Sequence, residues 1–173
     1  MVGDVLKSFQ FYGFAVIQLL IEPKRFFIEL SNNTTVVKSL GFCMVCSIFY
    51  VAASLLTCGY LNTVKMGFIF FLNSAGMIFL SVYLSNMVDR IFIKTKCDFE
   101  LFFSVYVFSS SIVLLVSWVS FSLWITEPWK WWLVYTGLKN TCSFSRRSAF
   151  LVLLVMIVIY FFLMYSLNLC LRN

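Results

Sequence analysis

The sequence predicts an all-α, polytopic integral membrane helical bundle: five transmembrane helices preceded by a short interfacial amphipathic helix. Three observations predict it. Of 173 residues, 62% are hydrophobic and only 12% charged, with a mean hydropathy of +0.96; a soluble domain carries about twice that charged fraction. Four stretches of 23 to 26 residues contain no Asp, Glu, Lys or Arg, and about 20 suffice to cross the hydrocarbon core as a helix. The basic residues fall in the short gaps between those stretches, as orientation signals do.

Residues 1–35 form the cytoplasmic or interfacial N-terminal segment, and residues 36–173 the bundle. No basic n-region leads to a small-residue cleavage site, so internal spans are expected to direct insertion. Ser8–Ile21 is a charge-free run of 14 residues, too short to span, and Pro23 ends or kinks the helix before it. With Lys24 and Arg25 beside it, the run suits a helix lying in the headgroup plane of an anionic leaflet. It equally suits packing beneath the bundle. Residues 31–35 read as a polar turn.

The spans follow at about 39–61, 66–88, 101–117, 121–138 and 148–171. The third and fourth depend on charge. Leu101–Leu138 is 38 residues, slightly short of the roughly 40 that two crossings require. With five crossings and a cytoplasmic N-terminus, the inner side holds Lys7, Lys24, Arg25, Lys38, Arg90, Lys94, Lys96, Lys139, Arg146 and Arg147. The outer side then holds Lys65, Lys130 and Arg172. Four crossings would dilute that asymmetry, so five is preferred. The hairpin turn falls between Ser117 and Pro128. All five tryptophans lie between Trp118 and Trp132, which places the tip near the outer interface.

Few residues carry chemistry. There is no histidine, which removes imidazole bases and the usual zinc and haem sites. No catalytic, cofactor or metal residues are expected, and nucleic acid is not an expected partner. Cys43 and Cys46 form a CxxC pair that could be a dithiol redox centre; packing is the preferred reading, because no acid or histidine nearby activates a thiol. Cys58 and Cys170 both fall near the outer face and could form a bridge. Asn73, Ser74, Gly76 and Ser110 are small or polar residues at bilayer depth and read as helix-packing positions. Lys24, Arg25, Arg146 and Arg147 are expected to contact lipid headgroups. Glu127 and Lys130 could pair across one helix face, but are expected to be solvated at the outer rim.

Three segments resemble one family. Leu20-Ile-Glu-Pro-Lys-Arg-Phe-Phe27, Phe99-Glu-Leu-Phe-Phe-Ser-Val-Tyr-Val-Phe-Ser-Ser110 and Gly137-Leu-Lys-Asn-Thr-Cys-Ser-Phe-Ser-Arg-Arg-Ser-Ala149 are similar to conserved stretches of the Yip (Ypt-interacting protein) domain family. The resemblance covers most of residues 20–165 and implies five spans with a cytoplasmic N-terminus. The short loops resemble the bacterial members, so a bacterial inner membrane is expected rather than Golgi or ER. It implies a non-enzymatic protein that binds or scaffolds other membrane proteins, an ABC-type exporter or a second copy among them. The alternative is a subunit of a lipid or peptide transport assembly, and the third reading is thiol redox at Cys43 and Cys46. A cavity beside Asn73 separates the first two: open favours transport, filled favours scaffolding.

Overall fold

The computed structural model describes residues 2–33, 35–58, 63–94, 97–119 and 122–172. Side chains are described for 10–30, 35–57, 63–94, 97–119, 122 and 124–162. Among the described residues every regular element is helical: α1 Val2–Ile21, α2 Pro23–Asn33, α3 Val36–Cys58, α4 Thr63–Val88, α5 Phe99–Leu114, α6 Leu123–Asn140 and α7 Arg146–Arg172. A π-helical turn, Asp89–Ile93, extends α4, and Lys94 closes it in the left-handed region at φ 56°.

The N-terminal segment is two helices. Pro23 opens α2, the position where its missing N–H costs nothing, and α2 continues through Asn33 where a polar turn is predicted. Ala15, Leu19, Phe26, Phe27 and Leu30 are buried in the common core while Phe14, Ile17 and Ile21 stay exposed. One face of the pair therefore packs beneath the bundle and the other is bare.

α5 is the hub. Every residue from Phe102 to Ser109 is buried, the signature of a helix enclosed on all sides. Ser39 Oγ donates to Ser104 Oγ at 2.7 Å and Ser85 Oγ to Tyr106 Oη at 2.6 Å, tying α3 and α4 to α5. α6 closes on the opposite flank: a Cβ on Gly137 would lie 3.0 Å from Phe27 Cε1 and nearer still to Val105. Thr141 Oγ1 donates to the Phe27 carbonyl at 2.7 Å.

Two helices among the described residues are long and apolar enough to cross a membrane, Val36–Thr57 and Thr63–Ile93, with mean hydropathies of 2.0 and 1.8. α5 is a shorter apolar helix of 16 residues, about 24 Å at 1.5 Å per residue and less than the roughly 30 Å of a hydrocarbon core. The five-crossing architecture is therefore taken up below as a proposal.

The structure contains a cysteine pair that the sequence analysis did not raise. Cys97 is bonded to Cys142, with Cα atoms 5.2 Å apart. The alternating helix directions bring the α4–α5 and α6–α7 connections to the same end, which makes the pair possible. The side chains of Cys58 and Cys170 lie outside the described residues, as do those of Lys7, Lys96 and Arg172.

Candidate functional site

The helices differ in how far they extend. From Ser85, level with Tyr106, α4 reaches back 22 residues to Thr63, about 33 Å. α5 continues only eight residues past Tyr106 to Leu114, about 12 Å. The backbone then turns through residues 115–119, where Trp118 Nε1 donates to the Leu115 carbonyl at 3.0 Å. α6 returns from Leu123. The α5–α6 hairpin thus stops well below the far end of α4.

A cavity of about 780 Å³ occupies the space beside that hairpin, bounded by α4, α5, α6 and α7 and by Tyr50 of α3. Such a volume is within the range of sites that hold a drug-sized ligand. Its walls are mainly apolar, with Met77, Val113, Leu114, Ile157 and Phe161 among them. Met77, Ile157 and Phe161 are exposed, the last at 78%, so the cavity opens sideways between α4 and α7.

Polar groups converge on it. Tyr160 Oη is hydrogen-bonded to Ser81 Oγ and donates to the Met77 carbonyl at 3.5 Å, fastening α7 to α4 along one edge. Ser74 Oγ caps its own helix's Phe71 carbonyl at 3.1 Å. Ser117 Oγ, also on the lining, is buried without a hydrogen-bond partner in the structure.

Glu127 and Lys130 supply the charge. Lys130 Nζ lies 2.5 Å from Glu127 Oε2, with the lysine side chain only 15% exposed and the glutamate 47%. The ammonium also sits 5.0 Å from the Trp131 ring centroid and 5.7 Å from that of Tyr160, where the ring faces attract a cation. Trp131 packs edge-on against Tyr160 at 5.5 Å. The two residues pair on one helix face, with Lys130 set among aromatic rings and Glu127 left half exposed, so the expected solvated rim describes the glutamate but not the lysine. Lys130 precedes Gly137 by seven residues, which puts it roughly 20 Å short of the level of Thr63. The local reason is that the short hairpin draws the start of α6 down into the bundle.

The residues singled out from sequence separate into three groups. Asn73, Ser74 and Ser110 come together on the cavity lining. Gly76 does not join them: it is exposed, and a Cβ there would meet nothing within 4 Å. No helix of the described chain approaches it. Lys24, Arg25, Arg146 and Arg147 are all exposed and belong to the end fastened by Thr141–Phe27. Arg25 is engaged by Glu29 at 2.9 Å and Glu22 at 3.5 Å, and the two carboxylates raise its pKa, Glu29 most. Cys43 and Cys46 are unbonded thiols buried in the core. Among the described residues no group of three or more His, Cys, Asp and Glu could hold a metal ion.

Sequence reasoning missed Tyr160, the Cys97–Cys142 bond and the aromatic surroundings of Lys130. The i, i+3 spacing was visible for the ion pair; the surroundings of the lysine depend on how far the hairpin rises, which no local pattern encodes.

The family model described as the Yip1 domain matches residues 17–167, most of the chain. Neither a curated protein nor a solved structure matches.

Proposed function

The chain belongs to the Yip1 domain family, and from that premise we propose that this membrane protein is a non-enzymatic binding subunit of a lipid or peptide transport assembly. The observation that carries the proposal is the open cavity of about 780 Å³. A body built solely to dock against partners has no need to leave such a space, because dense packing stabilises a bundle. Ionisable groups held inside a bundle also cost enough that they mark ligand pathways more often than structural positions.

The topology proposed with it has five crossings, a cytoplasmic N-terminus and a bacterial inner membrane. Lys24, Arg25, Lys38, Arg90, Lys94, Lys139, Arg146 and Arg147 belong to one end of the bundle and Lys65 to the other, in accord with the positive-inside rule. Lys24, Arg146 and Arg147 are proposed to touch lipid headgroups there. The hairpin would cross as a pair of short helices, locally thinning the bilayer.

Purification in mild detergent, followed by mass spectrometry of everything retained, tests this reading. A bound lipid or peptide that is lost when Ser110→Leu fills the cavity supports it. An empty cavity in the unaltered protein overturns it.

The scaffold reading is favoured by one observation, the open space over Gly76 on a face of α4 that also exposes Phe68, Ile69, Leu72, Phe79 and Leu80. Small residues let a second helix approach closely. Under that reading Gly76→Ile releases a co-purifying membrane protein, an ABC-type transporter or a second copy, and leaves the cavity's ligand in place.

A further inference from the structure

The cavity combines two features that together specify a ligand more closely than volume does. Its lateral mouth is apolar, between Met77 on α4 and Ile157 and Phe161 on α7. Its inner wall carries one carboxylate and one ammonium, side by side at 2.5 Å. An acyl chain matches the first feature. The second discriminates among headgroups.

The pair is neutral as a unit, so it offers no net attraction to an anion. Each member nevertheless has capacity to spare. Lys130 has three N–H donors, and Glu127 Oε2 takes one. A carboxylate has two oxygens, and Glu127 is half exposed. A ligand bearing only a phosphate could take a spare Lys130 donor, but its anion would then lie beside the Glu127 carboxylate with nothing to offset the repulsion. A ligand bearing a phosphate and an ammonium can extend the pair into an alternating square of charges. The aromatic rings of Trp131 and Tyr160 already face Lys130, which leaves the ligand's cation to Glu127. A carboxylate rewards a cation with N–H groups to donate, because charge-assisted hydrogen bonds are the short, strong ones. A quaternary ammonium has none to give.

Building on the ligand-binding reading of the cavity, we propose that its occupant is a zwitterionic aminophospholipid of the phosphatidylethanolamine type. Its phosphate is held by Lys130, its primary ammonium by Glu127 and an acyl chain by the α4–α7 mouth. The neighbouring hydroxyl of Ser117, buried without a partner in the structure, is placed to donate to an ester or phosphate oxygen. A headgroup bound at this level is drawn down from the interface along the cleft beside the short hairpin.

The full chain, reconstituted in nanodiscs holding equal parts of phosphatidylethanolamine, phosphatidylcholine and phosphatidylglycerol, tests this by native mass spectrometry of the retained lipid. Phosphatidylethanolamine is expected to be enriched roughly tenfold over the other two, the scale of one charge-assisted hydrogen bond. Glu127→Gln should lose that preference and favour phosphatidylglycerol, because Lys130 is then an unpaired cation. An unchanged helical content and Tm of the Glu127→Gln protein control for misfolding. Equal retention of the three lipids, or a preference unaltered by Glu127→Gln, overturns the headgroup assignment while leaving the cavity as a site for acyl chains. A retained peptide in place of lipid overturns it as well. No retained ligand of any kind overturns the transport reading beneath it.

Discussion

Gly137 shows how much of this fold rests on single atoms. The side chains of Val105 and Phe27 leave no room for even a methyl group on its Cα, so side chains of α2 and α5 lie directly against the α6 backbone there. Gly137→Ala is expected to lower stability by about 1–3 kcal/mol, the usual cost of overpacking a dense core, read as a drop in Tm in detergent. Ser39 makes the opposite point. Its hydroxyl bond to Ser104 is buried and short, yet interhelical hydrogen bonds in membranes average only about 0.6 kcal/mol. Ser39→Ala should therefore shift the same Tm far less than Gly137→Ala does. If the ranking came out reversed, hydrogen bonding and not close packing would be what joins α5 to its neighbours.

At the scale of elements, α1 and α2 are held together by an exposed clasp. Gln18 Nε2 donates to Glu29 at 3.0 Å across the two helices, and Arg25 Nε donates to the same carboxylate at 2.9 Å. Gln18, then Arg25, holds the Glu29 pKa below its ordinary value. A carboxylate whose folded pKa is depressed stabilises the fold above its unfolded value and loses that contribution as pH falls through the folded one. The protection factors of the amides around the α1–α2 connection, corrected for the intrinsic pH dependence of exchange, should accordingly be lower in acid than at neutral pH, and Glu29→Gln should remove that difference. The effect will be small, since exposed pairs contribute little. The α5–α6 hairpin is the other telling element. Being shorter than α3 and α4, it leaves the cavity beside its tip and carries Glu127 and Lys130 into it.

For the whole molecule, the informative feature is which end carries what. The Cys97–Cys142 bond staples the end that also carries most of the basic residues. In a chain isolated without reductant, peptide mapping should return Cys97 joined to Cys142, with Cys43 and Cys46 resisting alkylation until the protein is denatured. Closing a loop of 45 residues is worth about 2–4 kcal/mol, so reduction should lower Tm measurably. If that end faces a reducing cytoplasm, as the proposed topology has it, the cysteines should be thiols in intact cells and bonded after lysis in air. Cysteines placed at Arg146 and Lys65 should react from opposite sides of the membrane. Labelling of both from one side would sink the five-crossing topology.

The sequence by itself determined the all-α class of the molecule and its membrane-like apolar helices. Charge-free apolar stretches and the gaps between them are local properties, and a bilayer reads them locally because each helix satisfies its own backbone. Family membership was legible for the same reason, in Leu20–Phe27, Phe99–Ser110 and Gly137–Ala149. Asn73, Ser74 and Ser110 were noticed as polar groups at depth, but whether they face a neighbour or a void depends on four helices at once. Only the tertiary structure decided that Gly76 faces outward and that Cys97 meets Cys142. It also joined Glu127 to Lys130 and set the lysine among the rings of Trp131 and Tyr160. Those outcomes follow from relative helix heights and directions, set by close contacts such as Gly137 against Phe27 and Val105, and such contacts leave no periodic trace in the chain.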